Sequence, residues 1–210
     1  VPALAGLVAG LVIFGTGGWF LGRGTAPDPG TTVVAQPSAS AVPSVGAYDQ
    51  FQIASNGPRF TGPLAPLGEG WLSRLSSCSR NGEKSGPNVN AAAGEKARVR
   101  CEMDAMSVIF VEYNSTADRD KARVTTLGQN IEARKLTTGV AEPVVQPTPT
   151  PSGRVTGNYV EYAYQVSGRT VAGIWWDDSA TPVAAYVLAY WKEGIGQKWD
   201  PLREVWARYA

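Results

Sequence analysis

The sequence predicts an α+β protein: an antiparallel sheet of about five strands with packed helices, preceded by one transmembrane helix and a disordered linker. Three observations carry this. Residues 1–22 hold no charge, residues 23–59 are rich in Pro, Ser, Ala, Thr and Gly, and residues 60–210 alternate short strand patterns with three helical ones.

The opening run VPALAGLVAGLVIFGTGGWFLG would rise about 33 Å as a helix at roughly 1.5 Å per residue, against a hydrocarbon core of about 30 Å. The alternative is a cleaved signal peptide, which would give a secreted domain; no basic segment precedes the run, and it exceeds the usual apolar stretch of such signals. Gly6–Gly10 and Gly18–Gly22 have GxxxG spacing, which admits a homodimer through helix contacts in the bilayer. The partner of this segment is the cell membrane, with the C-terminal portion as the single-pass extracytoplasmic domain. Arg23 favours the opposite orientation, but the cysteines outweigh it. Cys78 and Cys101 are the only two, they flank a polar Gly/Asn-rich excursion, and such a pair behind a membrane span reads as a disulfide formed in an oxidising compartment.

Residues 24–58 show no persistent period and few charges, so they are expected to act as a tether. The domain is expected to begin at residue 60. Leu67, Trp71, Leu72 and Leu75 have helical spacing, predicting a helix that ends at Cys78, followed by a loop over 79–95. Arg98–Met103 alternates polar and apolar residues, Asp104-Ala105 fits a tight turn, and Met106–Tyr113 reads as a central strand. Ser115 or Thr116 then caps a helix with Asp118 in its first turn. Its apolar stripe is expected to be Ala117, Val124, Leu127 and Ile131, with Arg119, Asp120, Lys121, Arg123 and Glu132 in solvent. (Asn114-Ser115-Thr116 also fits a glycosylation sequon, but the cap accounts for it.) A Pro/Thr-rich break over 139–157 precedes strands at Tyr159–Val166, Thr170–Asp177 and Val183–Trp191. The chain closes on DPLREVWARY, with Asp200 as N-cap, Pro201 at the first helical position, and Trp199, Leu202, Val205, Trp206 and Tyr209 on one face. Two segments share the order strand, turn, strand, helix, which suggests a duplicated ββα unit.

Lys+Arg at 19 against Asp+Glu at 18 gives a net charge of +1, which supplies no basic stripe for nucleic acid. The chain has no histidine, which removes Ser-His-Asp and Cys-His catalysis and imidazole metal sites. No phosphate-cradling glycine loop is found, and no cofactor is expected.

The stretch GIWWDDSATP concentrates the remaining interest. Trp175 and Trp176 must point to opposite sheet faces. If helices cover one face, the other carries a band that includes Trp175, Tyr162, Tyr164, Tyr186 and Tyr190. This band is either cross-strand packing or an exposed aromatic platform for an envelope glycan or protein ligand, with Trp175, Tyr186, Tyr190, Asp177 and Tyr162 as candidate contacts. Asp177-Asp178 reads first as turn chemistry; acid/base work on a glycoside and cation binding with a cross-strand Glu are the alternatives.

Cys78 before a strand, Phe110 and Tyr113 at a strand end, Gly168-Arg169, Trp175 with Asp177, and Leu202 with Trp206 together carry a family likeness. Over about residues 64–210 the chain resembles extracytoplasmic domains of actinobacterial single-span proteins, including those behind membrane-anchored serine/threonine kinases. The resemblance implies a non-catalytic sensor or binding domain. An accessory or scaffold subunit of an envelope complex is the runner-up, and an extracytoplasmic hydrolase working with acids alone is the third reading.

Overall fold

The computed structural model describes residues 45–83, 89–143 and 146–210. The expected membrane helix and residues 23–44 of the expected linker lie outside the described residues. Among the described residues no helix is long and apolar enough to cross a membrane.

The domain is α+β, as expected, with six rather than five strands in its main sheet. In chain order the elements are α1 (Ala47–Asn56), α2 (Leu64–Gly68), β1 (Ser76–Arg80), β2 (Glu95–Met103), β3 (Met106–Tyr113) and α3 (Thr116–Leu136). There follow β4 (Thr148–Pro149), β5 (Thr156–Gly157), β6 (Tyr159–Val166), β7 (Arg169–Asp178), β8 (Val183–Tyr190) and α4 (Asp200–Tyr209). The sheet is antiparallel throughout, in the order β1-β2-β3-β8-β7-β6, and β4 pairs separately with β5. Two three-stranded meanders thus meet at β3 and β8, each followed by a helix. Three strands followed by a helix occur twice along the chain, where a unit of two strands and a helix was expected. The helices do not take equivalent places: α4 lies on one face and α3 mainly on the other.

Tight turns set the registers. Asp104, at φ 50°, turns β2 into β3 so that Met103 faces Met106. Ser167 and Gly168 both adopt positive φ, as a two-residue hairpin requires, and bring Val166 opposite Arg169.

On the first face, Val99 and Cys101 of β2, Phe110 of β3, Val187 of β8 and Trp176 of β7 form the main core. It is closed by Phe60, Leu64, Leu67, Trp71 and Leu75, and by Leu202 with the half-buried Val205, Trp206 and Tyr209 of α4. Trp71 stacks on Trp176 with centroids 5.3 Å apart, and Phe60 meets Phe110 edge-on at 4.8 Å.

Four local expectations are corrected. The helix expected to end at Cys78 stops earlier: α2 ends at Gly68, a 3-10 turn spans Glu69–Trp71, and Cys78 sits within β1, where the residue spacing predicts a helix end and a loop. The Cys78–Cys101 disulfide joins this edge strand to β2. The linker expected to run to residue 59 gives way to α1 at Ala47. Asn56 fixes that helix to the fold, its Nδ2 donating to Leu72 O at 2.9 Å and Leu75 O at 2.8 Å. In α4, Asp200 is the first helical residue, not the cap, and Trp199 precedes it without a side-chain cap bond.

The fourth correction concerns α3. Ser115 caps it as expected, its Oγ accepting from Asp118 N at 3.1 Å. Of the expected apolar stripe, however, only Leu127 packs inward; Ala117 is exposed, Val124 is 65% exposed and Ile131 51%. The buried positions are Arg119, Thr126, Asn130 and Ala133, and Arg123 is also largely enclosed. The reason is hydrogen bonding. Arg119 donates to the carbonyls of Asp178 and Thr181, and Asn130 Nδ2 donates to Glu161 O at 2.8 Å and Ala141 O at 3.2 Å. A Val/Ile face turned inward would leave these carbonyls unpaired, at a cost exceeding the gain from burying two aliphatic side chains.

A denaturation test follows from this arrangement. Val124→Lys and Ile131→Lys are expected to change stability by no more than about 0.5 kcal/mol, whereas Asn130→Leu is expected to cost about 1–3 kcal/mol. Urea melts reversing that order would contradict the placement of α3.

Candidate functional site

The second face of the sheet is built in rows, because directly opposed residues share a face. One row runs Arg100, Ile109, Tyr186, Trp175 and Val160. The next runs Glu102, Ser107, Leu188, Gly173 and Tyr162. Beyond it, Tyr190, Val171 and Tyr164 stand in line. Helix α3 lies chiefly against β6 and packs Ala122 and Leu127 onto this surface. A strip over β3 and β8 is left open between α3 and the arginines of β2.

That strip is a trough with two adjoining hollows. The first, about 450 Å³, has Tyr113, Trp175 and Tyr186 at its base, between the 92–95 loop and Lys121 and Thr125 of α3. The second, about 520 Å³, is floored by Ile109, Leu188, Tyr164 and Tyr190 and rimmed by Arg100 and Ser107. They adjoin because Tyr186 of the first stands directly opposite Ile109 of the second. From Ser107 to Tyr113 the floor extends roughly 20 Å at about 3.4 Å per residue. Glycine at 173 gives it shape: a Cβ there would come within 2.6 Å of Leu188 Cδ2 and 2.9 Å of the Tyr162 ring.

The polar groups around the trough are largely paired with each other. Arg98 stands 5.9 Å from the Tyr186 ring centroid, and its guanidinium donates to both oxygens of Glu95, at 2.8 and 2.5 Å. Arg100 pairs with Glu102 at 3.1 Å and reaches Ser107 Oγ at 3.3 Å. The hydroxyls of Tyr113 and Tyr186 meet at 3.1 Å. Arg169 stacks on Tyr190, 3.4 Å from its centroid, and is tied to Glu193 at 3.3 Å.

The expected contacts divide on this geometry. Tyr186 is half-buried and Tyr190 is 37% exposed, and both reach the trough. Trp175 is 1% exposed and Tyr162 6%, so both support the floor rather than offering a platform. Trp175 lies against Tyr186 at 5.2 Å and Tyr113 at 6.5 Å. The packing reading therefore describes Trp175 and Tyr162, and the surface reading describes Tyr186 and Tyr190. Arg98 and Arg100 were missed, because their alternation with apolar residues reads as an ordinary solvated strand face.

Asp177 is fully buried and all its acceptor positions are engaged. Oδ1 accepts from Asn158 N at 2.8 Å and Asn158 Nδ2 at 3.2 Å; Oδ2 accepts from Arg123 Nη1 at 2.8 Å and Trp175 Nε1 at 3.3 Å. A carboxylate so saturated has no free lone pair for a ligand, a cation or a reacting proton. Asp178 carries the turn, accepting from Ala180 N at 3.1 Å and Thr181 Oγ1 at 2.6 Å. Among the described residues no group of three or more His, Cys, Asp or Glu side chains could hold a metal ion.

Four phenols in and beneath the trough, those of Tyr113, Tyr162, Tyr164 and Tyr186, are held in their neutral form. Burial leads in pushing Tyr113, Tyr162 and Tyr164 above the usual range, and Tyr186 up to about 12. Unfolded tyrosine ionises near about pH 10, so the unfolded chain gives up protons first as pH rises. This contribution to stability is whole below about pH 10 and is lost as pH climbs through the folded values. Melting temperature is therefore expected to be level up to about pH 9.5 and to fall steeply above it, less steeply in Tyr186→Phe. A melting temperature unchanged up to pH 12, by calorimetry, would contradict this.

No protein-family model matches the chain, and no curated protein or solved structure matches it significantly.

Proposed function

We propose that this chain is a membrane-anchored extracytoplasmic binding domain of the sensory kind, without catalytic activity of its own. Its ligand is a polymer or partner of the cell envelope. The reading accords with the resemblance to domains behind membrane-anchored serine/threonine kinases. The observation that carries it is the asymmetry of the sheet: one face is closed by α2, α4 and the segment between α2 and β1, while the other has an open trough floored by tyrosine and aliphatic side chains. A monomeric scaffold gains nothing by keeping such a strip uncovered. The Cys78–Cys101 bond supports the location, since disulfides persist in oxidising compartments.

Two measurements on the full chain test the proposal. In intact cells, a membrane-permeant thiol reagent should label neither cysteine before reduction, and protease added outside should release the folded domain; labelling of both without reduction, or a domain untouched by the protease, overturns the location. A solubilised envelope fraction should raise the melting temperature of the wild type but not of Leu188→Arg, which sets a charge on the trough floor. Equal protection of both overturns the binding site. The accessory-subunit reading is favoured by one feature, the outward-facing Val124 and Ile131 of α3. Stable crosslinks from that helix to other envelope proteins would support it.

A further inference from the structure

Resting on the binding reading, we infer that the trough takes a neutral glycan strand, lying along β3 and β8 with its sugar rings over Tyr186, Leu188 and Tyr190.

An extended peptide is recognised on a sheet by adding a strand to a free edge, where unpaired main-chain groups supply most of the affinity. The floor of this trough has no free edge. β3 is paired with β2 on one side and β8 on the other, and β8 with β3 and β7. Recognition here must pass through side chains alone, which suits a ligand with no peptide backbone to satisfy.

An anionic ligand needs uncommitted cations. Arg98 is engaged by Glu95, Arg100 by Glu102 and Arg169 by Glu193. Lys121, at the wall of the first hollow, has no ion-pair partner among the described residues, but along Leu188 and Tyr190 the arginine charges are neutralised in place, and an anion added there would compete with resident carboxylates. A purely apolar chain is also a poor fit. Burying the trough beneath hydrocarbon would desolvate the Tyr113 and Tyr186 hydroxyls, Ser107 Oγ and the Arg100 guanidinium without replacing their lost water contacts.

A neutral sugar strand meets both requirements, with C–H faces for the rings and hydroxyls for the rim. Two details prepare the site. Arg169 covers one side of the Tyr190 ring at 3.4 Å, so the ring is pinned before a ligand arrives and little rotamer freedom is lost on binding. In the Tyr113–Tyr186 pair only one phenolic hydrogen is used between the two oxygens, and the second is free to donate to a ligand oxygen at the base of the first hollow.

The test uses the full 210-residue chain and named probes: chitotetraose, mannotetraose and maltotetraose as neutral strands, tetragalacturonic acid as the anionic one, and an uncharged extended decapeptide. At least one neutral tetrasaccharide should bind by calorimetry, with an affinity insensitive to salt. Tyr190→Ala should weaken it about tenfold, and the double variant Tyr113→Phe/Tyr186→Phe, which keeps both rings and removes both donors, about fivefold. Matched circular dichroism keeps misfolding apart from lost binding. If only the acid or the peptide binds, or if the envelope fraction protects the wild type while every neutral probe fails, the glycan assignment falls and the binding reading stands. If neither envelope nor probes bind, both fall. A neutral probe that binds equally to wild type and both variants overturns the trough as its site.

Discussion

Asp177→Asn is expected to lower the unfolding free energy by about 3–5 kcal/mol, the largest effect of any single substitution around the site. The carboxylate accepts four hydrogen bonds from three places: the loop before β6 through Asn158, α3 through Arg123, and its own strand through the Trp175 indole. An asparagine keeps the size but turns one oxygen into a donor, which must then face either the Asn158 donors or the Arg123 and Trp175 donors. At the same time Arg123, 16% exposed at its side chain, loses the buried half of its pairing and keeps only Asp120, at 3.1 Å. Breaking one side of a buried pair costs more than removing both. Asp177→Asn with Arg123→Met, in which the amide oxygen still accepts from Asn158 and no enclosed cation is left without its carboxylate, is therefore expected to cost less than Asp177→Asn alone. Urea denaturation of the three proteins decides the matter. A loss under about 1 kcal/mol for Asp177→Asn would mean that the four bonds do not form as described.

Removing the disulfide comes second. Cys78 and Cys101 are 23 residues apart, and opening that loop restores chain entropy worth about 3 kcal/mol to the unfolded state. For a domain of this size that corresponds to a fall in melting temperature of roughly 6–12 °C. The consequence should be local as well as global. β1 is a five-residue edge strand whose pairing is interrupted near Ser77, which has φ 50°. Without the covalent tie its backbone hydrogen bonds to β2 should open first, leaving β2 as a long unprotected edge prone to association. Hydrogen exchange on Cys78→Ser/Cys101→Ser should show early loss of protection confined to β1 and the facing amides of β2. Uniform loss across the sheet would refute the local opening.

The periodic elements could be read directly. β2, β3, β6, β7 and β8 each show alternation or a branched apolar run between turn residues, and the opposite facing of Trp175 and Trp176 follows from strand geometry alone. β1 could not be read this way. SSCSR has no strand signal of its own and becomes a strand because β2 offers it a partner and Cys101 a covalent bond. Helix α1 was hidden for a similar reason, since its contact with the core is one polar residue, Asn56. α3 misled outright. Its apolar residues do fall at helical spacing, but the surface it meets presents carbonyls and a carboxylate, so the face bearing Arg119, Arg123 and Asn130 turns inward.

The amino-acid sequence by itself determined the fold class, the strand parity, the cap at Ser115 and the pair of cysteines, because each depends on neighbours within a few residues or on residue type alone. Tertiary structure decided the rest. Whether an aromatic side chain is floor or support depends on where α3 lies. Asp177 is a clamp and not a site because Asn158 and Arg123 arrive from distant parts of the chain. Local periodicity records which way a side chain points, but what it meets there is fixed only when the elements pack.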